Sequence, residues 1–448
     1  MPPLGHVQVC QRLPWVKENQ RSAGNRTGGY QDSMKTQGEI NAKIRNGTVL
    51  VMTAAEFKQH IRNGDTITPY EVDVVTTGTF GVMSGTYAVL SIPVAEKKAF
   101  KTADRVWLNG VPAVPGPCPN ENLGLVDLIV YGTAHANASY GGGHLFRDLV
   151  QGNAVDVVVK AQRKTFTRTV TLEDIGFARL ATTRSAFKNY TALVNPRSRP
   201  VNSTIFSVIG MPGPFSAASI SGCGEINPLE NDPGMRTIGP GTHILVNGGD
   251  GYVMGTGTRS SAGRPNLSFF ADLKGMDPDM MGGFVTSAGP ECLVSCAVPV
   301  PVLDESSLQA LSVLHEQIPL SVADVADRTP LASTTYGDVW NGTDPVIRFD
   351  PSLCISCEQC SAAARCPTGA LSPRGPIDYH HCVHCGTCTF TCPAHAYTGR
   401  LGSLTLHTSR VPITLRQSSL THAKRLCERL KHRIVNGEFF LHGRFEGE

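Results

Sequence analysis

The sequence has no uninterrupted apolar run of the roughly 18 residues that a membrane-spanning helix needs. Its most apolar stretch, Phe284 to Leu303, is broken by Glu291 and three prolines, so no bilayer span is expected. Residues 1–33 carry Gln11, Arg12, Lys17, Glu18, Asn19 and Arg21 where a secretory signal would have its apolar core, and they read as a disordered tail. Charge is scarce: Asp, Glu, Lys and Arg make up 17% of the chain and the net charge is +3, against roughly 25% charged residues in an average domain. Aromatic residues are 7%, and no basic stripe is interleaved with them; this speaks against a stacking platform for nucleic acid. Neither G-x-G-x-x-G between a strand and a helix nor G-x4-G-K-[ST] occurs, which excludes the usual dinucleotide and P-loop sites.

What the chain has in abundance is thiol. Eight of its fourteen cysteines fall in two runs, Cys354, Cys357, Cys360 and Cys366, then Cys382, Cys385, Cys388 and Cys392, and each run ends in Cys-Pro. Cysteines three apart in a tight loop converge on one centre, and the pattern resembles a bacterial-type ferredoxin with two 4Fe-4S clusters. The second run keeps the C-x2-C-x2-C-x3-C-P spacing, while the first has two extra residues before Cys366, read as a longer turn. Carried over position by position, the resemblance implies Cys354, Cys357, Cys360 and Cys392 for one cluster, and Cys366, Cys382, Cys385 and Cys388 for the other. A zinc ribbon is the alternative, although four-coordinate zinc would leave half of these thiols idle. Free thiolates of this kind belong to a reducing compartment, so a cytoplasmic location is expected.

Along the chain, 46 glycines and 30 prolines point to buried strands joined by tight turns. Helices are expected at Lys35 to Arg45 and, capped by Thr53 with Glu56 three residues on, as far as Asn63-Gly64, with strands at Thr48 to Met52 and Val72 to Thr76. Further strands are expected at Leu125 to Tyr131, Ala154 to Lys160, Ile205 to Ile209, His243 to Asn247 and Ala297 to Leu303, with an initially helical and then irregular segment over 304–345. After the thiol segment come strands at Ser403 to His407 and Val411 to Leu415, then a helix from Ser418 to Val435 with Leu420, Ala423, Leu426, Cys427, Leu430 and Ile434 on one face. The fold class is thus α/β (α+β). It comprises a Gly-rich mixed large domain over 34–345, a two-cluster ferredoxin domain over 346–400 and a strand-helix tail over 401–448.

Several motifs in the large domain agree in order with one family. Val72 to Gly81, Trp107 to Pro112, Tyr140 to His144, Asn227 to Pro233, Thr237 to Thr242 and Val298 to Leu303 together resemble the homocysteine-biosynthesis sulfur-incorporation family, over roughly residues 36–305. The order of large domain, thiol unit and tail is similar to that of the methanogenesis-marker metalloproteins of anaerobic archaea. The resemblance implies sulfur incorporation into an aldehyde of aspartate-semialdehyde type, a separate sulfur donor, and a low-potential electron donor or redox partner protein. The chain departs from the family at Ser84, which follows Met83 where sulfur-incorporating relatives have cysteine, and it lacks their second cysteine, since Val157 to Ile175 has none.

The remaining large-domain thiols are Cys118, Cys223, Cys292 and Cys296. Cys223, between Gly222 and Gly224, is expected to be approachable, and it is either the nucleophile or a small residue filling a turn. His144, beside the Gly-rich turn, is the matching candidate for polarising a carbonyl or carrying a proton; His135 is its neighbour. Arg147, Arg236 and Arg259 are candidates for a substrate carboxylate. His380, His381 and His384 are assigned to tuning or packing of the thiol unit. Oligomeric state is not legible.

Overall fold

The computed structural model describes residues 35–443 apart from Pro117, Asn189, Arg374, His407 and Thr408. The expected tail over 1–33 lies outside the described residues. Thr53 caps as expected, and Thr36 does the same for the helix before it: each hydroxyl accepts the N–H of the glutamate three residues on, and that glutamate's carboxylate accepts the threonine N–H, starting helices Gln37–Arg45 and Ala54–Arg62. The intervening strand is Val51–Thr53, parallel to Val74–Val82, so the α/β start expected of the chain is present.

From there a mixed sheet of 14 strands is built almost entirely by antiparallel pairing. Val74–Val82 pairs with the 13-residue strand Gly289–Pro301 over nine positions, and the latter makes a hairpin with Gly282–Thr286. Thr86–Pro93 follows Val74–Val82 after only Met83, Ser84 and Gly85, yet five strands separate the two in the sheet. The sheet therefore curls until these ends meet at Ser84, and its inward face carries much of the core: Ala88, Leu90, Ile92, Leu128, Leu180 and Phe269 are buried.

A second sheet has six strands. Two of them, Pro319–Asp324 and Pro330–Thr335, lie in the segment expected to be irregular. They are short, each starts at proline, and the turn between them is tied by Asp324 and Asp327, which mask the alternation of Leu320 and Val322. Conversely, Ile205 to Ile209 is a turn and not a strand, with the Ser207 hydroxyl donating to the Gly210 carbonyl at 2.5 Å. The expected strand at Ala297 to Leu303 is the end of the longer Gly289–Pro301.

The tail completes this second sheet through Ser403–Leu406 and Ser409–Arg416, the latter parallel to Ala218–Ile220. Helix Leu420–Val435 then docks on Val74–Val82 and Gly289–Pro301. All six residues expected on its inner face are buried. Gly78 makes this approach possible, because a Cβ there would stand 2.8 Å from Cys427 Sγ and 3.2 Å from the Ala423 carbonyl oxygen. No helix among the described residues is long and apolar enough to cross a membrane. Gly78→Ala is expected to cost about 1–3 kcal/mol by overpacking, read as a lower urea midpoint; an unchanged midpoint would mean the helix is not held against this strand.

Candidate functional site

The thiols gather four and four. Cys354, Cys357 and Cys360, on the loop after Pro351–Leu353, line one cavity with Cys392 from the end of helix Thr387–Thr391; Ala394 and Tyr397 close it. The other set is Cys366, Cys382, Cys385 and Cys388. Burial, and then the neighbouring thiols of Cys385, Cys382 and Cys366, push the Cys388 thiol well above its ordinary value. Burial, opposed in part by a backbone bond from His384, raises Cys382 to about 12. Every described cysteine is a free thiol. Among the described residues no three His, Cys, Asp or Glu side chains are placed to hold a single metal ion. All-thiol donors in two groups of four have the chemistry and number to hold one four-iron cluster each.

The second set sits against the large sheet. The Val285 N–H on the outer edge of Gly282–Thr286 donates to the Pro367 carbonyl at 2.8 Å, directly after Cys366. The Arg416 N–H donates to the Cys385 carbonyl at 2.9 Å, and the Val82 N–H donates to the next carbonyl, that of Gln417, at 3.0 Å. Cys385 and the strand end at Val82 are thus bonded to adjacent residues. His384 Nδ1 lies 3.6 Å from Cys382 Sγ, and its ring is 6.1 Å from that of His422, which is 4.7 Å from Phe80. Burial pulls His384 and His422 both down to about 4, so both rings are neutral near pH 7. His380 is exposed and bonds Asp279, while its carbonyl accepts from Arg147; His381 bonds Asp378.

The Cys223 thiol is fully buried, contrary to the approachable position expected of it. Its flanking glycines serve close packing: a Cβ on Gly222 would collide with Tyr336, and one on Gly224 with His315. The thiol lies 3.9 Å from the Phe80 and Ser419 carbonyl oxygens, and burial pushes it up to about 11. Cys292 and Cys296 occupy one face of a strand, also fully buried, whereas Cys118 is exposed.

His144 opens helix Gly142–Val150 with Nδ1 accepting the Gly141 N–H at 3.2 Å, which places the proton of the neutral ring on Nε2. Burial lowers its pKa to about 4. Two of the motifs meet here: Asn109 donates to the Tyr140 hydroxyl at 3.2 Å, which donates to Asp148 at 2.5 Å, and Tyr140 stacks on His144. His135 is exposed nearby, its Nδ1 3.3 Å from the Thr133 carbonyl oxygen. Of the three arginines, Arg236 is paired with Asp304 at 2.8 Å, Arg147 lies 3.8 Å from Asp279, and Arg259 has no ion pair among the described residues.

Two groups escaped the sequence reading. Lys58 is completely buried on helix Ala54–Arg62, bonded to Asn231 of the Asn227 to Pro233 motif and to the Leu311 carbonyl, and burial brings it down to about 7. Nothing in an amphipathic helix marks one lysine as the inward one. Glu291 shares a bond with the Ser84 side chain, is only 5% exposed, and has an Oε2 without a partner among the described residues. Its one sequence signal is a charge inside the most apolar stretch of the chain.

Residues 49–441 match the family described as homocysteine biosynthesis enzyme, sulfur-incorporation. An uncharacterized protein of Methanothermobacter thermautotrophicus is 48% identical over 407 residues, covering 90% of this chain and 94% of that protein. The L-aspartate semialdehyde sulfurtransferase of Methanosarcina acetivorans is 32% identical over 330 residues, 69% of this chain and 63% of the relative. The pyruvate synthase subunit PorD of Methanothermobacter marburgensis is 35% identical over 57 residues, 13% of this chain and 65% of the subunit. No solved structure matches.

Burial raises the Glu291 pKa, with the Ser84 bond opposing it in part. A carboxyl raised in the folded state stabilises below its unfolded value and loses that contribution as pH rises through the folded one. The melting temperature of Glu291→Gln minus that of the parent should therefore rise between pH 5 and pH 8; a difference that stays constant or falls would contradict this burial. Native alkylation followed by peptide mapping should label Cys118 and spare Cys223, Cys292 and Cys296; early labelling of Cys223 would contradict its enclosure.

Proposed function

Because the chain belongs to the homocysteine-biosynthesis, sulfur-incorporation family, we propose that it is an iron-sulfur redox protein of the cytoplasm that takes part in reductive sulfur incorporation. The substrate is an aldehyde of aspartate-semialdehyde type. Sulfide adds to the carbonyl and water leaves, giving a thioaldehyde; two electrons and two protons then reduce it to the thiol. Cys354, Cys357, Cys360 and Cys392 would hold one 4Fe-4S cluster, and Cys366, Cys382, Cys385 and Cys388 the other. Such clusters, when bound, supply electrons one at a time from a low-potential donor or redox partner.

The observation that supports this reading is a pair of backbone links: Pro367, after Cys366, bonds Val285 on the strand whose Phe284 pairs with Glu291, and Cys385 connects through Arg416–Gln417 to Val82, two residues before Ser84. Ser84 cannot carry a persulfide, so the sulfur comes from a separate donor as sulfide. Glu291, held toward its neutral form by burial, can give a proton to the carbonyl oxygen and take one back. His144, neutral with Nε2–H, is a second donor on the neighbouring helix. The relative named as an aspartate semialdehyde sulfurtransferase and the PorD likeness support the substrate and the redox link respectively.

The lack of an exposed large-domain thiol other than Cys118 favours a second reading, a non-enzymatic electron-transfer, docking or cofactor-assembly protein associated with methanogenesis. The two separate in one experiment. Anaerobically purified chain should contain roughly eight iron atoms and form homocysteine from L-aspartate semialdehyde, sulfide and a low-potential reductant, with Cys385→Ser losing most of that rate. Product from Ser84→Cys but none from the parent would favour the second reading. Zinc in place of iron would remove both.

A further inference from the structure

Ten buried side-chain polar atoms lack a partner among the described residues, and four of them crowd one place: Thr182 Oγ1, Arg184 Nε, Ser185 Oγ and Asn266 Oδ1. All lie at the end of strand Phe177–Ser185 or on the segment facing it. This strand pairs with Thr86–Pro93 with Thr86 opposite Thr182. The Thr183 N–H donating to the Gly85 carbonyl at 2.9 Å extends the pairing, so Arg184 comes level with Ser84. Gly85 is required by the closeness: a Cβ would stand 2.6 Å from Thr183 Oγ1. On the other side the Thr258 N–H donates to the Thr183 carbonyl at 2.8 Å, and a Cβ on Gly257 would stand 3.1 Å from Arg184 Cα. Arg259, the next residue, turns through a left-handed backbone with φ of 58°.

These two arginines oppose each other's charge: the pKa of Arg184 is lowered by burial and then by Arg259. Neither makes an ion pair among the described residues, and Arg184 has only the face of Phe187, 4.5 Å from its guanidinium carbon. Arg179 on the same strand, by contrast, has an acid partner, 2.6 Å from Asp272. Two guanidinium groups without a counter-charge, beside the unpartnered Thr182 and Ser185 hydroxyls, form a site for an oxyanion.

We propose that Arg184 and Arg259 together bind the carboxylate or phosphate of a small anionic molecule at the rim formed by Gly85, Thr183 and the Gly257–Arg259 loop. Its reacting end would lie at Ser84 and Glu291, a placement that rests on the sulfur-incorporation reading; the anion site itself does not.

Calorimetric titration of the full, anaerobically purified chain with L-aspartate, and separately with inorganic phosphate, tests it. At least one anion should bind, and Arg184→Gln and Arg259→Gln should each weaken it by about tenfold or more, with Arg184→Lys recovering part of the loss. Arg179→Gln should leave affinity within about twofold, its charge already being paired. Preference for aspartate assigns a carboxylate ligand, and preference for phosphate a phosphorylated one. Absence of binding by the parent, or parental affinity in both glutamine variants at matched melting temperature, would overturn the proposal. Anion binding in a chain inert toward aldehyde and sulfide leaves this site standing and removes the sulfur reading; the reverse pattern removes this site alone.

Discussion

Four consecutive residues, Arg416 to Ser419, hold three parts of the molecule together. The Arg416 N–H reaches the Cys385 carbonyl, while its guanidinium, 1% exposed, donates to the Asp344 and Leu401 carbonyls and lies 4.5 Å from the Trp340 ring centre. Burial draws it down to about 10, still charged near pH 7. A buried cation is tolerated only where carbonyl groups replace its water, so the thiol unit, the second sheet and the segment before it must assemble around it. Gln417 bonds Ile220 and Val82, Ser418 accepts the Gly222 N–H, and the Ser419 N–H donates to Phe80. The same strap thus bonds both Cys385 of the second thiol set and Val82, two residues before position 84.

The two thiol sets consequently face different surroundings. Cys354, Cys357 and Cys360 of one set are half-buried, with Ile355 68% exposed beside them, and Cys392 is buried; in the other, Cys382, Cys385 and Cys388 are buried and Cys366 is half-buried. One set is open to a partner from solvent and the other is turned inward toward the strands at Val82 and Val285. On the reading proposed above, such a polarity would let electrons enter from outside while the sulfur species is kept from water.

Local signals carried much of the fold. Thr53 with Glu56 marked one helix start through reciprocal bonds that need no tertiary context, and the apolar face of Leu420–Val435 marked its buried side. The three-residue spacing within each thiol run is likewise local, while the crossing of Cys366 and Cys392 is what the ferredoxin resemblance implies. What escaped depended on distant partners. The strands at 319–335 exist because they pair with each other and with Thr191–Val194. Cys223 looked free between glycines, yet those glycines make room for Tyr336 and His315. Glu291 and Arg184 converge on Ser84 only because the sheet curls across five intervening strands, which no single stretch of residues records.

The central claim is that two all-thiol sets, one of them bonded to the strands that meet at Ser84, carry iron-sulfur clusters. Iron anomalous diffraction from anaerobically grown crystals measures it most directly. The account predicts two four-iron peaks, one among Cys354, Cys357, Cys360 and Cys392 and one among Cys366, Cys382, Cys385 and Cys388. A single-atom peak, a zinc edge, or iron bound by a different division of these eight thiols would contradict it.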